Sequence, residues 1–185
     1  MRVCIHRGTQ EVGGTCIEIE SQGKRIVLDV GLPLEATDSI ESLPQVEGFR
    51  ERHESLLAVV ISHPHLDHYG LARYLLPDTQ MIMGAATARI LKAAMLFTPV
   101  GVEFKNALHF KSGKPLSIGP FTITPYLNDH SAYDAYSLLI SADGQRLFYS
   151  GDFRGHGRKS ALFERFLNRP PSDVDVLLME GTTIG

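Results

Sequence analysis

Residues 56–68, Leu56-Leu57-Ala58-Val59-Val60-Ile61-Ser62-His63-Pro64-His65-Leu66-Asp67-His68, run an apolar segment straight into three imidazoles and a carboxylate. The apolar part reads as a buried strand that delivers its C-terminal end into a loop. Imidazole nitrogen and carboxylate oxygen are the ligands of catalytic zinc, and of manganese or iron where oxygen donors dominate. Alternate residues of an extended loop point the same way, so His63 and His65 can grip one ion. Asp67 and His68 are adjacent and diverge, so they can face a second ion. A single histidine in this setting would be an ordinary core or surface residue. Four ligand-type side chains within six positions are a metal loop.

The spacing His-x-His-x-Asp-His differs from the helical His-Glu-x-x-His of zinc proteases. Further ligand-type residues lie at strand ends on either side of it. Arg25-Ile26-Val27-Leu28-Asp29 ends a strand in Asp, Asn128-Asp129-His130-Ser131 follows a later strand, and Leu147-Phe148-Tyr149-Ser150-Gly151-Asp152 ends a hairpin. In this order the four motifs resemble the signature of the metallo-β-lactamase superfamily, and they span nearly the whole chain. The resemblance implies an α/β fold, the αββα sandwich, with two sheets face to face, helices outside and metals along one edge. It implies two divalent metal ions, zinc first, with manganese or iron as alternatives. His63, His65 and His130 would hold one ion, Asp67 and His68 the other, and Asp152 would bridge them. Asp29 would orient the site from behind through hydrogen bonds, and Asp67 would also accept or pass on a proton. The implied chemistry is hydrolysis by a hydroxide held between the cations, attacking a phosphoryl or carbonyl centre.

Details narrow the resemblance to the RNA-processing branch. Gly13-Gly14 before a strand, His130-Ser131, Gly151-Asp152-Phe153 and Met179-Glu180-Gly181-Thr182-Thr183 are similar to the ribonuclease J and cleavage-factor type enzymes. In those, an acidic residue, here Glu180, precedes an inserted β-CASP domain. The substrate implied is RNA or another phosphodiester, with Arg154, Arg158 and Lys159 as backbone phosphate contacts. His156, in the same basic loop, is a candidate donor to the phosphate or leaving group. Residues 1–185 are expected to form one metallo-β-lactamase-like domain, incomplete at its C-terminus. Either the inserted domain, the C-terminal segment and the last histidine of the second metal lie beyond Gly185 in a longer enzyme, or the chain is a shortened relative that completes its site differently. A buried strand over Val174–Met179 would then lack neighbours, so a homodimer covering that edge is expected. Two other readings keep the same residues: a hydrolase of small thioesters or lactams, and a catalytically weak binding module with an incomplete second site.

Composition sets outer bounds. A chain of 185 residues, 43% hydrophobic, can bury one core. The net charge of −3 supplies no general basic field for nucleic acid, so phosphate contacts must be local. No run approaches the ~18 apolar residues of a membrane span. Met1-Arg2-Val3-Cys4-Ile5-His6 lacks a secretory apolar region, so the protein is expected in the cytoplasm, with Cys4 and Cys16 as mostly buried, reduced thiols. Gly13-Gly14 lacks a following Lys-Ser/Thr and reads as a positive-φ turn, not a phosphate loop. Gln22-Gly23 and Asp143-Gly144 predict tight hairpins. Residues 31–50 read as a surface loop, 69–76, 85–96 and 160–167 as helices, and 107–150 as largely β.

Overall fold

The computed structural model describes residues 1–182; Thr183, part of the Glu180 motif, lies outside the described residues. Two sheets stack. The first has the order β1-β2-β3-β4-β5-β6, formed by Arg2–Arg7, Cys16–Ser21, Lys24–Leu28, Leu56–Val60, Met81–Gly84 and Leu108–Phe110. The second has the order β11-β10-β9-β8-β7, with β7 at Leu116–Ile118, β8 at Phe121–Leu127, β9 at Tyr136–Ala142, β10 at Gln145–Tyr149 and β11 at Val176–Leu178. Helices α1 (Leu66–Tyr69) and α2 (Ala85–Ala94) follow strands of the first sheet, and α3 (Ser160–Asn168) follows β10.

The period-two alternation of strands explains the layering. Ile17, Ile19, Ile26, Leu28, Ala58, Val60 and Ile82 face inward and meet Phe121, Ile123, Leu138, Ile140 and Leu147 of the second sheet. The intervening residues Val27, Val59, Ile61, Met81 and Met83 face the other way, into a second cluster with Leu71, Leu75 and Leu91. Strands β3 to β6 run parallel and are covered on both faces, and so β4 reads as continuously apolar. On the outer face of the second sheet, Phe166 of α3 stacks on Phe148 at 5.2 Å and meets Tyr126 edge-on. The result is the α/β, αββα sandwich.

Both expected hairpins form. Gln22-Gly23 and Asp143-Gly144 have positive φ at each central residue, the mirror-image turn that suits the twist of paired strands. Gly13 and Gly14 also take positive φ. Elsewhere tertiary packing corrects the sequence reading. The 31–50 segment is not simply a surface loop: Leu43, Val46 and Phe49 are buried in the outer cluster. The helix after the metal loop is one turn beginning at Leu66, followed by a 3₁₀ turn at Ala72–Tyr74. Cys4 is exposed and only Cys16 is buried. Strand β11 is short and mostly exposed instead of buried, because it pairs only with β10 among the described residues and forms the sheet's edge. Val176, Leu177 and Met179 are each more than two-fifths exposed there.

Candidate metal centre

Strands β3, β4, β8 and β10 all end at the same edge of the sandwich. Their C-terminal ends carry Asp29, then Ser62-His63, then Asn128-Asp129-His130, then Gly151-Asp152. Segments more than 60 residues apart in sequence thereby meet, with His130 Nε2 lying 3.1 Å from His65 Nδ1.

Two overlapping sets of ligand atoms result. His63, His65 and His130 form one, and His63, His68 and Asp152 the other; within each, the donor atoms lie within 4.8 Å of one another. Asp152 faces both, with Oδ1 3.2 Å from His68 Nε2 and Oδ2 3.8 Å from His63 Nε2 and from His130 Nε2. The sequence reading gave His63 to one ion only; the fold puts it in both sets. Asp67 lies outside either set, its Oδ2 3.7 Å from His68 Nε2.

Asp29 organises what lies beneath. It is fully buried, with a positive φ of 59° that Asp tolerates better than most residues. Its carboxylate accepts from Ser62 N at 2.7 Å, Ser62 Oγ at 2.8 Å, His68 Nδ1 at 2.8 Å and Tyr149 OH at 2.7 Å. Because the Ser62 hydroxyl gives its only proton to Asp29, it must accept from His63 Nδ1, 3.0 Å away. That fixes the tautomer of His63 and leaves its Nε2 as a lone pair. This Nε2 is buried and has no hydrogen-bond partner among the described residues. An orphaned buried acceptor is costly unless something fills it. It points among nitrogen and carboxylate donors, and that donor set fits a divalent cation.

Electrostatics divide the donors. Burial holds His63 well below its usual pKa, reinforced by the neighbouring histidines. Burial likewise lowers His65, and lowers His130 to about 4. These three are neutral at pH 7, with lone pairs free. Burial opposes charge on His68 too, but Asp29 and Asp152 outweigh it and raise its pKa to about 10. For Asp152, burial would raise the pKa, yet its hydrogen bond to His68 and the surrounding imidazoles bring it down. Burial and the Asp29 carboxylate keep Tyr149 a phenol that donates. The position between Asp29 and Asp152 thus favours positive charge.

Close backbone approach completes the loop. Thr15 N donates to Asp67 O at 3.1 Å, and a Cβ on Gly31 would fall 1.7 Å from that oxygen, so residue 31 has no room for a side chain. Asn128 joins two ligand loops, since its Nδ2 donates to Ser137 Oγ at 2.9 Å and reaches the carbonyls of Ser150 and Asp152. Glu180 accepts from Phe153 N at 2.7 Å, tying the β11 end to the Asp152 loop.

The basic loop is only partly free. Asp129, fully buried, accepts from Gly157 N at 2.6 Å and Lys159 N at 3.2 Å and faces Arg154 Nε at 3.7 Å. The Lys159 ammonium donates to the carbonyls of Ala132 and Tyr133 at 2.8 and 2.9 Å. Lys159, expected at a phosphate, instead uses two of its three donors to brace the His130 loop. His156 and Arg158 are exposed. The sequence reading gave no role to Ser62, Tyr149, Asn128 or Asp129. Each sits within two residues of a ligand motif, but only packing reveals its contacts.

The β-lactamase superfamily domain profile matches residues 24–185. The chain belongs to the β-lactamase superfamily. Among curated relatives it is 29% identical to transcription termination factor FttA of Methanothermobacter thermautotrophicus over 98% of this chain and 31% of that protein. It is 27% identical to ribonuclease J of Helicobacter pylori, over 80% of this chain and 22% of the relative. The chain therefore spans less than a third of the length of these two relatives. Among solved structures, a protein of unknown function from Enterococcus faecalis V583 matches at TM-score 0.81 and 23% identity, over 98% of this chain and 50% of that one. A Cronobacter sakazakii metallo-β-lactamase matches at TM-score 0.64 and 18% identity, over 91% of this chain and 72% of that one. These two solved structures share the fold of the chain. No helix among the described residues is long and apolar enough to cross a membrane.

Proposed function

We propose that this chain carries the catalytic centre of a metal-dependent phosphodiesterase acting on RNA. The observation that carries the reading is the buried, unpartnered Nε2 of His63, aimed among the donors of His65, His130, His68 and Asp152. The relatives named for ribonuclease J supply the substrate class.

In this reading His63, His65 and His130 would hold one divalent cation, His68 and Asp152 would hold a second with Asp67 at its rim, and His63 and Asp152 belong to both halves. Zinc suits the imidazole-rich side, and manganese suits the carboxylate side. When bound, the cations activate water as a nucleophile and offset negative charge on the phosphoryl group. The chain's own groups do the rest. Ser62 holds His63 in the tautomer whose Nε2 faces the site. Asp29 orients His68 from behind, while Tyr149 and Ser62 fix Asp29. Asp67, a quarter exposed at the rim, is the proton-handling carboxylate. Arg158 and His156, exposed on the loop after Asp152, meet the phosphate backbone. Arg154, anchored against Asp129, lines their approach.

Labelled RNA incubated with manganese or zinc tests this directly. The wild-type protein should cleave it and His65→Ala should not, with EDTA abolishing the difference. Equal cleavage by both proteins, or turnover of chromogenic esters or lactams with none of RNA, would refute the assignment.

A further inference from the structure

A cleft of about 690 Å³ opens beside the carboxylate half of the centre, walled by Asp67, His68 and Asp152 on one side and by the β1–β2 loop on the other. Its lining is strongly acidic: Glu11, Asp67, Asp152 and Glu180 all contribute. A polyanion entering such a cleft needs cations to offset those carboxylates. Among the described residues that line it, Arg7 is the only arginine or lysine.

Two features show that Arg7 is held in this wall by the fold. The register between β1 and β2 shifts between Ile5 and Arg7, which pair with Ile17 and Cys16, so His6 is the extra residue of a bulge. Bulges bend a strand locally and re-aim the side chains that follow. Among the described residues, Arg7 Nη1 is also buried with no hydrogen-bond partner, and the guanidinium forms no ion pair with a carboxylate. A buried guanidinium donor without a partner is costly to the folded protein. A phosphate oxygen is a partner that a guanidinium N–H takes readily.

Resting on the phosphodiesterase reading, we propose that Arg7 is a positioning residue for the substrate. Its guanidinium holds a backbone phosphate flanking the one at the metal centre, so the site favours a nucleic-acid strand over an isolated diester. Arg7 lines this cleft, which residues 154–159 do not, and it is remote in sequence from every ligand motif.

The test compares wild type, Arg7→Met and Arg7→Lys. Binding of fluorescein-labelled single-stranded RNA is measured in EDTA across a salt series. Cleavage of the same RNA is measured with manganese, beside hydrolysis of bis(4-nitrophenyl) phosphate, which has one phosphate only. Arg7→Met should bind RNA about tenfold more weakly. Its dependence of log affinity on log salt should flatten by about 0.7, one phosphate contact on a single strand. Arg7→Lys should keep the slope. Hydrolysis of the small diester should stay within about twofold of wild type, and the thermal midpoint of Arg7→Met should not fall, because no internal partner is lost. Identical RNA affinity and slope in all three proteins overturns the proposal. So does a lowered midpoint with equal losses on both substrates, which would make Arg7 structural. If Arg7-dependent RNA binding persists but wild type hydrolyses neither substrate, the hydrolase reading fails and the anion contact stands.

Discussion

The two halves of the metal centre solve opposite electrostatic problems. On the His65–His130 side, burial outweighs the nearby Asp152 carboxylate, strips protons from the imidazoles and leaves their lone pairs free. On the His68 side, two carboxylates bracket one imidazole and push its pKa up to about 10, so this position favours positive charge, whether a proton or a cation supplies it. The first half is a set of soft, neutral donors; the second is a negative well lined with hydrogen bonds. His63 stands in both, and Asp152 faces both. A centre built this way couples two unlike sites through two shared side chains, and each half leans on a different part of the fold.

His63→Ala should therefore have the largest effect. Metal analysis after dialysis against zinc should find no stoichiometric ion, whereas His65→Ala should lose metal from the imidazole half alone. Equal residual metal in both variants would break the idea that His63 is shared.

Asp29→Ala attacks the carboxylate half from below. It strands His68, Tyr149 OH and Ser62 in a buried setting, and should cost roughly 3–5 kcal/mol in urea unfolding. Asp29→Asn preserves shape and should lower metal affinity about 10–100-fold, the usual range for a group that orients a ligand. Competition with a chromophoric chelator would measure this. No change in affinity would remove Asp29 from the site's design.

Tyr149→Phe is a gentler probe of the same half. One of four donors to the buried Asp29 carboxylate is lost, so stability should drop by about 2 kcal/mol. Chelator competition should show a smaller loss of metal affinity than for Asp29→Asn.

The smallest effects should separate two cations of the 154–159 loop. Lys159→Met frees the carbonyls of Ala132 and Tyr133 and should loosen the imidazole half. A stability loss of about 1.5 kcal/mol is expected, with the salt dependence of RNA binding unchanged. Arg158→Met should do the reverse, leaving stability within about 0.5 kcal/mol and flattening the salt slope by about 0.7. The opposite pattern would return Lys159 to the phosphate.

Much of this was legible before any coordinates. The run from Leu56 to His68 shows both a strand covered on its two faces and the loop at its end, because parallel strands bury every side chain and ligand residues cluster where a strand stops. The two tight turns were readable because Gln22-Gly23 and Asp143-Gly144 suit positive φ. What misled was exposure. Leu43, Val46 and Phe49 sit in a segment rich in Pro, Gly and acids, yet they close the outer core. Val176-Leu177-Leu178 looks like a buried strand, yet it lies at a sheet edge. Local composition does not report what packs against it.

The sequence by itself determined the donor chemistry: which side chains bear lone pairs and charge, and that they fall at strand ends. Only the tertiary structure decided how those donors are shared, which imidazole is held positive and which neutral, that Ser62 sets the tautomer of His63, and that Arg7 faces the cleft. The reason is physical. Protonation and hydrogen bonding depend on burial and on distances of a few ångströms between residues far apart in the chain, and no local pattern encodes those distances.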